Sequence, residues 1–122
     1  MKALTVCQPY AELIALGEKL IENRTWPTSY RGPLLIHAGK SRAWMERGDE
    51  AAYPGMSFGA AVATARLVAC LDLRTEHWPA QWEHLHDNEH ANGPWCWILE
   101  DVKRLPQPIP MRGAQGLWEA SV

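Results

Sequence analysis

The stretch GAAVATARLVACLDLR, residues 59–74, decides between two kinds of fold. Its alanines suit a helix, but its order is that of a strand. The odd positions Ala61, Ala63, Ala65, Leu67, Ala69, Leu71 and Leu73 are all apolar, while the even ones include Thr64, Arg66 and Asp72. A period of two over seven repeats predicts a strand over 60–73 with one face inward. Val62, Thr64 and Val68 add β-branched side chains, which pack well on a pleated surface. The small inward residues imply that something bulky packs close, a helix or several of the tryptophans.

Working outward, LLIHAG (34–39) reads as a strand buried on both faces, entered through the turn Tyr30-Arg31-Gly32-Pro33. Residues 2–6 read as a short strand. Pro9 suits the first turn of a helix over 9–16, with Tyr10, Leu13 and Ile14 at helical spacing and Gly17 as its stop. GEKLIENRTW (17–26) then alternates as a strand over 19–26, ended by Pro27. Ser41 can cap a short helix carrying Trp44 and Met45, and 53–59 reads as loop. Beyond 74, Pro79 opens an expected helix with Trp82, Leu85, His86 and Glu89 on one face, closed by Asn92-Gly93-Pro94. WCWILEDV (95–102) is another strand. Pro106, Pro108 and Pro110 alternate after it, so their missing amide donors fall on one side, which must be a sheet edge. GLWEA closes the series as a last short strand. The order β-α-β-β-α-β-α-β-β, with long alternating strands, fits an α+β fold: a small mixed β-barrel flanked by helices.

The chain has 122 residues, 47% of them apolar, which suits one globular domain over 1–122. A net charge of −2 argues against a general polyanion coat, yet the charges are segregated. Lys19, Arg24, Arg31, Lys40 and Arg42 face one acid, Glu22, between residues 19 and 42; seven acids accompany Arg74 between 72 and 101. The basic segment suits a local anion site on an acidic body, or a solvated surface. Cys7, Cys70 and Cys96 are an odd number, far apart and without a CxxC, so reduced thiols in the cytoplasm are expected. The N-terminal apolar run is too short for a signal peptide, and no stretch is apolar for long enough to span a membrane. Oligomeric state leaves no mark in the sequence.

The combination Gln8-Pro9, Gly17-x-Lys19-x-x-Glu22-x-Arg24-x-Trp26, Tyr30-Arg31-Gly32 and His37-Ala38 resembles the ASCH family (activating signal cointegrator homology), in particular its small stand-alone bacterial and phage members. The long 59–73 strand, the GPWCWIL strand and Gly113-x-x-Gly116-Leu-Trp118 fall in the same order as in that family. The resemblance spans nearly the whole chain. It implies a PUA-like fold, a compact β-barrel with rim helices and a cleft beside it, and a link to RNA and DNA binding. Some small members are amidohydrolases of an acetylated cytidine nucleoside, using a lysine and a threonine in the stretch equivalent to 17–24. Lys19 matches the lysine; Glu22 stands where the threonine would be.

Alternation puts Glu22, Arg24 and Trp26 on one face of a strand, and Lys19 can lean toward them. Arg24 offers a planar fork for phosphate or a guanine edge, Glu22 accepts from an exocyclic amine, and Trp26 offers a stacking face. These are the parts of a nucleotide pocket; a structural Lys–Glu–Arg cluster with Trp26 as core is the alternative. Gln8 and Tyr10 begin the first helix, whose amides favour an anion. Arg31 and Lys40 suit the rim of a cleft as phosphate contacts, or plain solvent exposure as the equal alternative. His37, in an apolar strand, reads as a hydrogen-bonded core residue. His84, His86 and His90 pattern as a wet helix face, so no metal or other cofactor is expected. GMSFG (55–59) does not fit a phosphate loop. The expected function is binding of RNA, single-stranded DNA or a modified nucleoside. A hydrolase of a modified nucleoside or RNA, with Lys19 and Glu22 as its catalytic pair, is the first alternative, and a non-catalytic interaction module the second.

Overall fold

The computed structural model describes residues 1–122. Strands β1 (Lys2–Val6), β2 (Ile21–Arg24), β3 (Gly32–Ala38), β4 (Ala60–Asp72), β5 (Trp95–Pro110) and β6 (Leu117–Glu119) form one sheet in the order β2-β5-β4-β3-β1-β6. The sheet curls into a half-barrel with few short helices, the α+β arrangement expected from the alternation. It is mixed: β1 runs parallel to β3 (Ala3 opposite Leu35, Val6 opposite Ala38), and the other pairs are antiparallel.

Helix α1 (Tyr10–Ala15) plugs the concave side, burying Ala11, Ile14 and Ala15 against Leu4, Leu34, Ile36, Leu67, Trp97 and Leu99. Each such Leu or Ile contributes about 1.5–3 kcal/mol on leaving water. The helix ends where the sequence says. Gly17 takes φ +78°, and the amides of Glu18 and Lys19 both donate to the Leu13 carbonyl, at 3.0 and 3.1 Å. That double turn sends Lys19 inward.

In β4 the odd positions are inward, but not on one cluster. Ile36 and His37 of β3 sit opposite Ala63 and Ala61, so Val62 is an extra residue; Leu99 and Ile98 of β5 sit opposite Leu67 and Ala69, so Val68 is another. Each bulge reverses the facing of the residues beyond it. Ala61 therefore packs with Ala3, Leu35 and Ala120, Ala63 to Leu67 with the main core, and Ala69 with Ile21, Trp78, Cys96 and Ile98.

Two expected helices do not form. Around Trp44 the chain makes turns, the Ser41 hydroxyl taking the Ala43 amide, and the only helix of that loop is the later α2 (Asp49–Ala52). After Pro79 there is a single 3₁₀ turn, Glu83–Leu85. Side-chain tethers occupy that segment instead. Trp78 Nε1 donates to the Asp72 carbonyl at 2.9 Å, the Glu83 carboxylate takes the Trp78 amide, and His86 Nε2 meets the Thr75 carbonyl at 2.9 Å. The strand expected over 95–102 is longer than the sequence implied, since β5 runs on through all three prolines. Beyond Leu99, β5 has β4 on one side and no strand on the other. The Met111 amide donates back to Gly59, so by alternation its neighbour Pro110 faces the open side, while Pro106 and Pro108 fall in an irregular stretch where residues 105–108 lie opposite Val62 alone.

Candidate nucleotide-binding cleft in the seam of the half-barrel

β2 lies at one edge of the sheet and β1 is next to the other edge, yet Arg24 Nη2 on β2 donates to the Thr5 carbonyl on β1 at 2.7 Å. The curl brings these two ends together, and Arg24 clasps the seam. A cleft of about 540 Å³ opens there, lined by Thr5, Val6, Cys7, Tyr10, Lys19, residues 22–26, Trp44, His90 and Asn92. That volume falls in the usual range for small-ligand sites.

Lys19 and Glu22 are almost fully buried, at 3% and 8% exposure. Lys19 Nζ donates to the Ile21 carbonyl and lies 3.3 Å from Glu22 Oε1; Glu22 Oε2 takes Arg24 Nη2 at 2.9 Å. Burial pushes the Lys19 ammonium below its ordinary pKa, against the opposing pull of Glu22. Both contacts of Arg24 run through Nη2, and its Nε is buried without a partner. One acid between two bases leaves one net positive charge at the foot of the cleft, and each Glu22 oxygen keeps a free lone pair. The walls are aromatic. Trp26 is half-buried, its ring edge-on to Trp97 with centroids 4.8 Å apart, and its carbonyl accepts from Trp97 Nε1. Tyr10 stands 5.7 Å from Lys19 Nζ and 6.4 Å from Trp44, which is 61% exposed.

Of the residues singled out in the sequence, Tyr10, Lys19, Glu22, Arg24 and Trp26 come together in this lining. Gln8, Arg31 and Lys40 are not part of it. The Gln8 side chain is fully buried and used structurally: Nε2 donates to the Ser57 carbonyl at 2.7 Å and Oε1 takes the Glu12 amide at 2.9 Å. The Ala11 and Leu13 amides are also taken, by the Cys7 and Pro9 carbonyls, so the first turn of α1 has few free donors for an anion. Arg31 reaches back to the Thr28 and Tyr30 carbonyls, and Lys40 is exposed, its stem against Gly59. His37 is a hydrogen-bonded core residue, as the apolar strand implied: Nε2 meets the Met111 carbonyl at 2.8 Å and Nδ1 the Thr5 hydroxyl at 3.2 Å.

Sequence reasoning missed Thr5, Asn23, His90 and Asn92 as cleft residues. Asn23 points away from Glu22 along β2. Its Oδ1 takes the amides of Asn92 and Gly93, and its Nδ2 donates to the His90 carbonyl, so it fixes the loop that forms that wall. Alternation puts Asn23 on the face opposite Glu22 and Arg24, so the strand pattern carries no sign that it borders the cleft.

A curled mixed sheet, an inserted rim helix and a lateral cleft at the seam define a small PUA-like α+β fold. The chain belongs to the ASCH domain family, whose model matches residues 4–109. It is 23% identical to human activating signal cointegrator 1 over 129 aligned residues, and 24% identical to the mouse protein. Both alignments cover 95% of this chain but only 22% of the relative, so the chain spans about a fifth of those proteins. Crystal structures of two single-substitution mutants of ZmASCH from Zymomonas mobilis superpose with TM-scores of 0.52 and 0.53 at 15% and 16% identity. They cover 89% and 90% of this chain, and 74% and 73% of the ZmASCH chains. The family is linked to RNA binding, which supports a nucleic-acid-related role. No helix is long and apolar enough to cross a membrane.

Proposed function

We propose that the seam cleft binds a nucleotide of RNA, with Lys19, Glu22 and Arg24 at its foot and Tyr10, Trp26 and Trp44 as stacking walls. One observation carries this reading: a buried Lys19–Glu22 pair, joined by the partly exposed Arg24, opens onto a preformed cleft instead of being sealed in the core. A buried ion pair is a poor device for stability, because its desolvation often costs more than its attraction returns, so its retention at the foot of a cleft favours a role toward a ligand. Base faces stack on aromatic rings with about 1–3 kcal/mol each, irrespective of sequence. Glu22 accepts from an exocyclic amine, and the net positive charge suits a flanking phosphate.

A hydrolytic role is the second reading. It is favoured by the lowered pKa of Lys19, which raises its neutral fraction toward the range of a useful base. Glu22 would then handle a proton through a water.

The test is a panel of modified nucleosides and short single-stranded RNA and DNA, with binding and product read from the same samples. Binding without turnover supports the first reading and turnover the second; silence across the panel sinks both and leaves an interaction module. Glu22→Gln keeps an acceptor oxygen, so a binding site should retain most of its affinity, whereas a catalyst should still bind but lose turnover. The foot of the cleft carries one net positive charge, so log affinity for a short RNA should fall with log salt at a slope of about −0.7.

A further inference from the structure

Beside the main cleft lies a second hollow of about 400 Å³, lined by Thr5, Arg24, Trp26, Ala114, Gln115 and Gly116. Thr5, Arg24 and Trp26 line both hollows, so the Arg24 clasp and the Trp26 ring stand between them. The far wall of the second hollow is the loop between β5 and β6, and it is held in place. His37 Nε2 meets the Met111 carbonyl at its start, and Trp118 Nε1 donates to the Thr5 hydroxyl, at 3.1 Å, just beyond its end. In between, Gly113 lies so close to Thr5 and His37 that a Cβ there would fall 2.6 Å from the hydroxyl oxygen. Only glycine fits this approach. The second hollow is thus a preformed continuation of the seam.

Resting on the reading of the cleft as a nucleotide site, we infer that the seam is a two-base groove whose ligand is a single-stranded RNA segment of at least two nucleotides. The first base occupies the aromatic cleft. The linking phosphate lies over Arg24, the cation shared by the two hollows. The second base lies against Trp26 and the 114–116 loop. Trp26, held edge-on by Trp97, separates the two bases and offers each an aromatic surface. Gln115, with one amide acceptor and one amide donor group, is the residue able to read the second base edge. Duplex RNA cannot enter such a groove, because adjacent bases must part around Trp26.

The test compares adenosine, adenosine 3′-monophosphate and adenylyl-(3′→5′)-adenosine by calorimetry on the intact chain. Affinity should rise at each step, the last by about tenfold, as one added stacking contact implies. The dinucleotide should show a salt slope of about −0.7, for its single phosphate, and adenosine none. In Ala114→Trp, which fills the second hollow, the dinucleotide and the monophosphate should bind alike. Gln115→Ala, a milder change at an exposed site, should shrink their ratio severalfold without altering the near-ultraviolet circular dichroism. If the dinucleotide binds wild-type protein no better than the monophosphate, the two-base groove is overturned while the nucleotide cleft stands. If no ligand of the series binds, or binding ignores Trp26→Ala, the cleft reading falls and the groove with it.

Discussion

Glu22 and Arg24 form an acid-x-arginine pair 2.9 Å apart, and Asp72 and Arg74 form another at 2.8 Å. The spacing is the same and the closest distances are alike, but Arg24 reaches Glu22 through Nη2 alone, whereas Arg74 grips Asp72 through both Nε and Nη2, and the settings are opposite. Asp72–Arg74 closes the end of β4, with the guanidinium in solvent 5.6 Å from the Trp95 ring centroid. Glu22–Arg24 sits in the seam, shares its acid with a buried lysine and spans to another strand. A short ion pair therefore marks no site by itself. Its meaning comes from what has been taken out of water around it, and from whether a cavity remains beside it.

The sharpest way to try that principle is to place one charge in two neighbouring settings. Leu67→Asp buries an unpaired carboxylate in the main core, where Leu67 is 1% exposed, and should abolish the cooperative thermal transition. Arg66→Asp, one residue earlier on the exposed side of β4, should leave a normal melt. Equal losses would mean that burial is not what separates the two settings.

Deleting the acids comes next. Glu22→Ala leaves Lys19 as a buried charge without its counter-ion and frees the partly exposed Arg24, and should cost about 3 kcal/mol in urea unfolding. Asp72→Ala should hardly move the midpoint, because exposed pairs contribute little. A tolerant Glu22 would make the triad equivalent to the surface pair.

The tryptophans divide along the same line. Trp26→Ala should cost about 2 kcal/mol of stability, less than the full value for a wholly buried tryptophan, and also weaken RNA binding. Trp44→Ala should weaken binding and leave the melting temperature where it is, since Trp44 is mostly in solvent. Loss of stability without loss of binding in Trp26→Ala would assign that ring to the core alone.

The smallest expected effect is in the pH dependence. Lys19 has a lowered pKa in the folded state, so below the ordinary lysine value the unfolded chain binds more protons. Stability from this group should rise with pH through the window that ends at the ordinary lysine value, and Lys19→Met should flatten it. Asp72 has its carboxyl held low by the hydrogen bonds from Arg74, so its contribution is present above the ordinary aspartate value and fades as the solution is acidified. Urea midpoints measured at both ends of the scale separate the two groups.

What the sequence makes legible follows from distance along the chain. Tyr10, Lys19, Glu22, Arg24 and Trp26 lie between residues 10 and 26, so alternation and a glycine stop were enough to group them, although the strand expected over 19–26 spans only Ile21–Arg24. Thr5, His90, Asn92 and the 114–116 loop reach the cleft through the curl of the sheet, which has no local signature. Likewise the strand character of residues 60–72 was plain, but the bulges at Val62 and Val68 are properties of paired registers that one strand cannot reveal. The helix expected after Pro79 failed because tryptophan, glutamate and histidine side chains tie the backbone down, an outcome that propensity does not contain.

The unpaired half of β5 carries one more consequence. An open strand edge with free amides is a template on which another chain can add itself, and repetition of that step leads to fibrils. Pro106, Pro108 and Pro110 have no amide hydrogens, so an incoming strand meets three positions there that cannot donate. The end of the longest strand is thereby a poor seed for assembly when the protein is concentrated.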